Sequence, residues 1–283
     1  MVRGTVDAVI TRVNGPSGPG KRSGEEGVPI PMNELEGKVV LVTGAASGMG
    51  REVARHAAEH GARVVGVDRD AAALADLTGG AAIDGLASDL TDPDGPRRAV
   101  RHCLDAHGRL DGLVNAAGIF QTRAMLDITA DDFDRVFAVN VRALFFLQQE
   151  AAKEMRDGGA IVNFASTAAR VPRPMSSHYA ASKAAVVSLS RSAATAWADR
   201  GIRVNSVCPG VIETPMITAI LAEQAGLAGI TPDELESRWR GLNPMGRLGR
   251  PGEVAELVTF LLSDRASYIT GESIGVNGGA DDI

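Results

Sequence analysis

Two side chains of this sequence are spaced to do chemistry together. They are Tyr179 and Lys183, in the stretch Ser176-Ser-His-Tyr179-Ala-Ala-Ser-Lys183. No Pro or Gly occurs from 176 to 199, and apolar residues recur at Val186, Leu189, Ala193, Ala196 and Trp197, the spacing of a helix. Residues four apart on a helix share a face, so the phenol and the ammonium lie along one edge. A neighbouring ammonium favours the phenolate, which draws the tyrosine pKa from about 10 toward the working range. Such a phenol suits general acid–base catalysis of alcohol–ketone interconversion. Tyr and Lys four apart also occur on ordinary surface helices. The reading therefore requires a hydride carrier elsewhere in the chain.

The rest of the chain must position that pair. It has 283 residues, 45% of them hydrophobic, and a net charge of −6. This is enough for one large α/β domain or two small ones. The acidic balance argues against nucleic acid or an anionic membrane as the main partner. Cys103 and Cys208 are the two cysteines, far apart and without metal-site spacing, so no metal is expected and a reducing, cytoplasmic setting is. No apolar run approaches the ~18 residues of a membrane span.

Residues 1–36 read as a flexible extension with turn and linker chemistry at 14–20 and 27–31, a mobile tail in preference to a short strand or packing segment at 6–13, and no apolar signal-peptide core. From Gly37 onward strand and helix signals alternate. Strands are expected at 38–43, 62–67, ending at 88, at 110–115, 160–164, 203–207 and 273–276. Helices are expected at 71–77, 96–107, 131–156, 176–199 and 252–263, besides one running to His60. Thr129-Ala-Asp-Asp132 is a capping box that opens the helix at 131. This alternation predicts right-handed βαβ units: one doubly wound α/β domain over 37–283, a seven-stranded parallel sheet with helices on both faces.

Thr43-Gly44-Ala-Ala-Ser47-Gly48-Met49-Gly50 follows the first strand and opens a helix, where glycines let backbone N–H groups approach a pyrophosphate. Asp68 ends the second strand, eighteen residues (68 − 50) beyond Gly50, close to the ~20 of a ribose-binding carboxylate. A carboxylate there accepts from both ribose hydroxyls and repels a 2′-phosphate, which favours NAD over NADP. Arg69 beside it softens that choice, and a solvated loop charge is the plainer reading of Asp68. Asp89-Leu90 follows strand three, where an adenine edge would be read, and Asn115-Ala116-Ala117-Gly118 follows strand four. Loop capping and a tight turn are their plainer readings.

Taken together, the glycine-rich turn, Asn115-Ala116-Ala117-Gly118, Asn140, Ser166, Tyr179-x-x-x-Lys183, Asn205 and Pro209-Gly210 resemble, in order and spacing, the short-chain dehydrogenase/reductase family in its shorter single-domain form, from about Leu35 to Gly279. The resemblance implies a Rossmann fold, a nicotinamide cofactor and a homotetramer built on the helices at 131–156 and 176–199. It implies that Tyr179 exchanges the proton with the substrate oxygen and that Lys183 holds the nicotinamide ribose. Ser166, thirteen residues (179 − 166) before Tyr179, would hydrogen-bond that oxygen, the preceding family serine being Ala165 here. Asn140 would hold a water leading from the lysine to solvent; as an amide within an apolar helix it needs a partner in any case. Pro209-Gly210-Val211-Ile212-Glu213-Thr214 would run along the nicotinamide, with Thr214 at the carboxamide.

Residues 214–245 carry Met216, Ile217, Ile220, Leu221, Leu227, Ile230, Leu235, Trp239 and Leu242, with a proline-led helix start at Thr231-Pro-Asp-Glu234. We read this stretch as a helical substrate lid, apolar within; packing against the domain or a neighbouring subunit is the competing reading. Phe120, Gln121, Ser166, Arg170, Val171, Met175, Met216, Ile217 and Trp239 are candidate walls of a pocket for a mainly hydrophobic secondary alcohol or ketone of steroid, terpenoid or acyl type. Two alternatives stand beside an NAD-dependent alcohol dehydrogenase. One is a 3-oxoacyl-carrier-protein reductase using NADPH, against which Asp68, the mixed charges of Glu154-Met-Arg-Asp157 and the overall acidity count. The other is a non-catalytic dinucleotide-sensing protein, against which the complete Asn140–Ser166–Tyr179–Lys183 set counts.

Overall fold

The computed structural model describes residues 33–78, 83–155 and 158–280. The extension over 1–36, with its segment at 6–13 and linkers at 14–20 and 27–31, falls outside them up to residue 32. Seven strands form one parallel sheet: β1 (Val39–Thr43), β2 (Arg63–Asp68), β3 (Ile83–Ala87), β4 (Gly112–Asn115), β5 (Gly159–Phe164), β6 (Ile202–Pro209) and β7 (Ser273–Val276), in the order β3-β2-β1-β4-β5-β6-β7. The order reverses direction beside β1, between β1 and β4, and there the doubly wound fold opens a crevice at the carboxyl ends of the strands.

Both faces of the sheet are covered, which is why β1 is an unbroken apolar run. Val40 and Val42 face one core with α1 (Gly48–Glu59), α2 (Ala71–Thr78) and α9 (Pro251–Leu262); Val39 and Leu41 face the other, with α3 (Gly95–His107), α5 (Leu144–Glu154) and α6 (Ser177–Ala196). The globular unit starts earlier than 37. Leu35 is fully buried in the first core, and its N–H donates to the His60 carbonyl at 3.0 Å.

The expected helix at 131–156 is three pieces: α4 (Ala130–Phe137), a π-helical turn (Ala138–Ala143) and α5. Thr129 and Asp132 make the expected capping box at its start. The π turn centres on Asn140, and an extra residue in one turn is what turns its buried amide toward partners outside the helix. Two further helices, α7 (Pro215–Ala228) and α8 (Pro232–Leu242), follow β6. Thr231 and Glu234 cap α8 reciprocally, with Pro232 in its first turn.

A polar row crosses the buried sheet, register by register: Thr43, Asn115, Asn163, Ser206 and Ser273. Asn115 Nδ2 donates to Asn163 Oδ1 at 2.8 Å; Asn163 Nδ2 donates to Gln148 Oε1 at 3.1 Å and to Ser190 Oγ at 2.9 Å. Because an amide in such a place is costly unless paired, this ladder fixes how α5 and α6 seat on the sheet.

Candidate functional site

A cleft of about 550 Å³ lies over the carboxyl ends of β1, β2 and β4. Its floor is the turn from β1 to α1. Gly44 and Gly48 have φ of +66° and +55°, a region that side chains avoid. A Cβ at Gly50 would lie 2.2 Å from the Gly44 carbonyl oxygen, and one at Gly44 would lie 2.9 Å from Ala117 N. Backbone can therefore come up to a ligand here and side chains cannot intrude. Ser47 stands at the N-cap of α1 without making a side-chain cap bond, so the helix presents its first N–H groups to the cleft. This cradle fits the pyrophosphate of a dinucleotide.

Asp68 lines the cleft, and its two oxygens accept from Ala46 N at 3.0 Å and Asp70 N at 3.1 Å. The carboxylate thus ties the glycine turn to the end of β2 as well as facing the cleft. Arg69, Asp89, Leu90, Ala116, Ala117, Gly118, Met49 and Thr214 also line it. Asp89 is drawn into its own loop: its Oδ1 accepts from Thr91 N and Oγ1 at 2.8 and 2.7 Å, which lowers its pKa. Thr214 caps α7, accepting from Ile217 N, and its methyl would lie 3.4 Å from a Cβ at Gly48. That contact joins the two ends of the cleft wall.

The second group of residues gathers where β4, β5 and α6 meet. Lys183, 6% exposed, donates from Nζ to the Phe164 carbonyl at 2.8 Å and lies 5.8 Å from the Tyr179 ring centroid. Burial pulls its pKa down to about 8. The Ser166 hydroxyl lies close enough to the Tyr179 phenol to favour its ionised form, and it accepts from Ala168 N at 3.1 Å. Asn140 Oδ1 accepts from Ile119 N at 2.9 Å, while its Nδ2 donates to Ile119 O and Ser182 Oγ, both at 3.0 Å. Gly118 packs between Asn140 and Lys183: a Cβ there would sit 3.3 Å from Asn140 Oδ1 and 3.4 Å from Lys183 Nζ. Asn140, Ser166, Tyr179 and Lys183 are thereby brought together, and Gly118 joins them to the cleft.

The phenol departs from expectation. Tyr179 is half-buried, and desolvation raises its pKa; the nearby Ser166 hydroxyl and the field of Arg173 pull the other way without prevailing. Lys183 is close to the ring, yet its ammonium is spent on the Phe164 carbonyl and is itself held down by burial. Two neighbouring groups that are both desolvated each disfavour their charged forms, which helical spacing alone does not reveal.

Several of the expected site residues also have partners within the protein. Asn115 turns its amide into the buried ladder and away from the cleft. Ile212 packs in the core and bridges to Gly249, and Pro209 and Gly210 pair with the end of β7. Gln121 is committed: its Nε2 donates to Asp132 at 2.5 Å, and its Oε1 meets His178 Nε2 at 3.2 Å. Met216 lines the dinucleotide cleft itself. Phe120 does meet the phenol, edge to face at 4.8 Å between centroids. The stretch expected as an apolar lid is only partly inward: α7 buries Ile220, Leu221 and Ala225, whereas α8, with Trp239, buries no residue. Ile217, Val171 and Trp239 are half-buried. The cleft also includes Ser88, Thr91, Ile119, Arg135 and Val139, unremarked in the sequence. Val139 and Arg135 lie one helical turn apart just before Asn140, and that spacing was the available signal. Among the described residues no cluster of His, Cys, Asp or Glu could hold a metal ion, and no helix is long and apolar enough to cross a membrane.

The strand order, the glycine cradle and the Tyr–Lys–Ser–Asn group define a dinucleotide-binding oxidoreductase. A family model described as enoyl-(acyl carrier protein) reductase matches residues 44–281. The chain is 38% identical over 256 residues to a 2-(S)-hydroxypropyl-CoM dehydrogenase of Xanthobacter autotrophicus, covering 87% of this chain and 98% of that one. It resembles a crystal structure of 3-ketoacyl-(acyl-carrier-protein) reductase from Brucella melitensis complexed with NADH, with TM-score 0.79, 36% identity and 87% and 99% of the two chains covered. A short-chain type dehydrogenase/reductase from Mycobacterium marinum gives TM-score 0.79 at 35% identity, with 89% and 98% covered. This chain belongs to the short-chain dehydrogenase/reductase family.

Proposed function

We propose that the protein interconverts a mainly hydrophobic secondary alcohol and its ketone, with NAD(H) preferred as hydride carrier. The observation that carries this reading is the joining of the glycine cradle to Tyr179, Ser166 and Lys183 through Gly118. When bound, the nicotinamide supplies or accepts the hydride. Ser166 holds the substrate oxygen, and Tyr179 moves the proton to or from it. Lys183 places its ammonium beside the phenol and, by family likeness, at the nicotinamide ribose. Asn140 fixes the loop at Ile119 and the start of α6 against each other through Ser182. Asp68 at the end of β2 favours a ribose with a free 2′-hydroxyl. Positioning of donor and acceptor supplies most of the acceleration in such a site.

A second reading, reduction of a 3-oxoacyl thioester, is favoured by the likeness to the Brucella reductase. Exposed Phe133, Phe145 and Phe146 along α4 and α5 support the expected homotetramer. The test is turnover of a panel of secondary alcohols, ketones and 3-oxoacyl thioesters with NAD(H) and NADP(H), followed by nicotinamide absorbance, in wild type and Tyr179→Phe. The variant should keep cofactor affinity and lose at least ~10²-fold in rate. Near-wild-type turnover by it would remove the proposed acid–base role.

A further inference from the structure

Gln121 joins three parts of the fold that are distant in sequence. Its own loop leaves β4 and carries Phe120, whose ring meets the Tyr179 ring edge to face at 4.8 Å between centroids. Its Nε2 donates to Asp132 Oδ1 at 2.5 Å, in the first turn of α4. Its Oε1 meets His178 Nε2 at 3.2 Å, in the first turn of α6 and one residue before the phenol. The backbone of this loop is held on either side, by Ile119 N donating to Asn140 and by Arg123 N donating to the Met175 carbonyl. Between those two anchors, Gln121 is the side chain that reaches both helices.

Each hydrogen in this chain has one place to go. Asp132 accepts from the Gln121 amide and from Thr129 N and Oγ1, bonds that bring its pKa down to about 2, so it is an acceptor only. An amide facing it must turn its NH2 that way, which leaves Oε1 as the acceptor toward His178. The His178 Nε2 therefore carries the hydrogen. His178 is 2% exposed, and among the described residues its Nδ1 is buried without a hydrogen-bond partner. A second proton placed on Nδ1 would find no acceptor there, so the ring stays neutral. Burial works in the same direction and prevails over the Asp132 charge, while Arg123, 3.5 Å from Asp132, adds to it. A neutral ring with one N–H has one task here, which is to hold Gln121.

We propose that Gln121 and His178 are positioning residues for the phenol: the chain from His178 through Gln121 to Asp132 holds Phe120 against the Tyr179 ring and so fixes the angle at which its hydroxyl meets the substrate oxygen. They act through Tyr179 and transfer no proton themselves. The phenol turns on two side-chain torsions, and the Phe120 edge restrains its ring only while the loop stays seated on α6. A misplacement of about 1 Å in such a site costs about 10²-fold in rate. This inference rests on the reading of Tyr179 as the proton-transfer group and adds what orients it.

The chain has two tyrosines, Tyr179 and the fully exposed Tyr268, so uniform 3-fluorotyrosine labelling gives two fluorine resonances, assigned with Tyr268→Phe. In Gln121→Leu the Tyr179 resonance should move toward that of Tyr268 as the Phe120 ring leaves it. On the best substrate of the panel above, kcat should fall by about ten-fold or more while NADH affinity is kept. Two amides then test the direction of the chain. His178→Gln sets its amide where Nε2 lay and should keep most of the wild-type kcat; His178→Asn sets it near Nδ1 and should behave like Gln121→Leu. Combining His178→Asn with Gln121→Leu should cost little more than either alone, since both break one chain. Wild-type kcat in Gln121→Leu, an unmoved Tyr179 resonance, losses that multiply in the double variant, or equal activity of the two His178 variants would overturn the proposal. Should Gln121→Leu fail to fold, the contrast between His178→Gln and His178→Asn decides. The resonance is read without turnover: if Tyr179→Phe keeps the wild-type rate, the acid–base reading fails, and the fluorine shift still decides whether the chain positions the ring.

Discussion

Replacing Lys183 by methionine separates the electrostatic cost of the site from its packing. The residue is 6% exposed, and burial takes its pKa from 10.5 to about 8. A depression of that size corresponds to about 3 kcal/mol that the folded state bears at neutral pH. Methionine keeps much of the length and removes the charge. It also strands the Phe164 carbonyl oxygen, which costs about 1–3 kcal/mol. At pH 7 Lys183→Met should therefore be between equal to wild type and about 2 kcal/mol more stable, while losing activity, the usual sign for a group kept for function.

The pH dependence carries the sharper test. Below pH 8 the lysine is charged in both states and the full cost is present. Between about 8 and 10.5 the folded protein sheds the proton while the unfolded chain keeps it, so wild-type stability gains with rising pH. The variant lacks that gain, and all other titrations cancel in the difference. Urea unfolding of both proteins at pH 7, 8, 9 and 9.5 should show the variant's relative stability falling by about 2 kcal/mol by pH 9.5. A difference flat across that range would mean that the folded lysine keeps its proton, and the account of a desolvated ammonium would be wrong.

Asp68→Ala removes the acceptor of the Ala46 and Asp70 N–H groups as well as the expected ribose partner. NADH should bind more weakly by about ten-fold, with NADPH much less affected; an unchanged NADH-to-NADPH ratio of Kd values, by fluorescence titration, would remove Asp68 from cofactor choice. Asn140→Ala strands the Ile119 N–H and carbonyl in a buried site. It should cost about 2–4 kcal/mol in urea unfolding and also slow turnover. A variant as stable as wild type would show that the π turn does not depend on this amide.

How much of this was legible beforehand differs residue by residue. The inner strands β1, β2, β4, β5 and β6 were readable, because a strand buried on both faces must be a short apolar run between turn residues. The capping box at Thr129 and the proline-led helix start at Thr231 were readable because a cap is a contact three residues long. The π turn was not, since the helical pattern of 131–156 continues through it; what breaks the regular pattern is the demand of one buried amide for the Ile119 backbone, twenty-one residues away. Asn115 went the other way. Its motif says nothing of where the side chain goes, and its strand register pairs its amide with Asn163.

The order of residue types along the chain determined the class of fold, the glycine cradle, the acid at the end of β2 and the identity of the four polar residues that meet near Gly118. The first three follow from periodicities and spacings within a few turns of chain, and the four polar residues from the family resemblance. Tertiary structure alone decided which charges are free to act. Burial raised the Tyr179 phenol and lowered Lys183, and Gln121 was spent on Asp132 and His178. Desolvation and pairing depend on everything that surrounds a group in space, and most of those neighbours are distant in sequence.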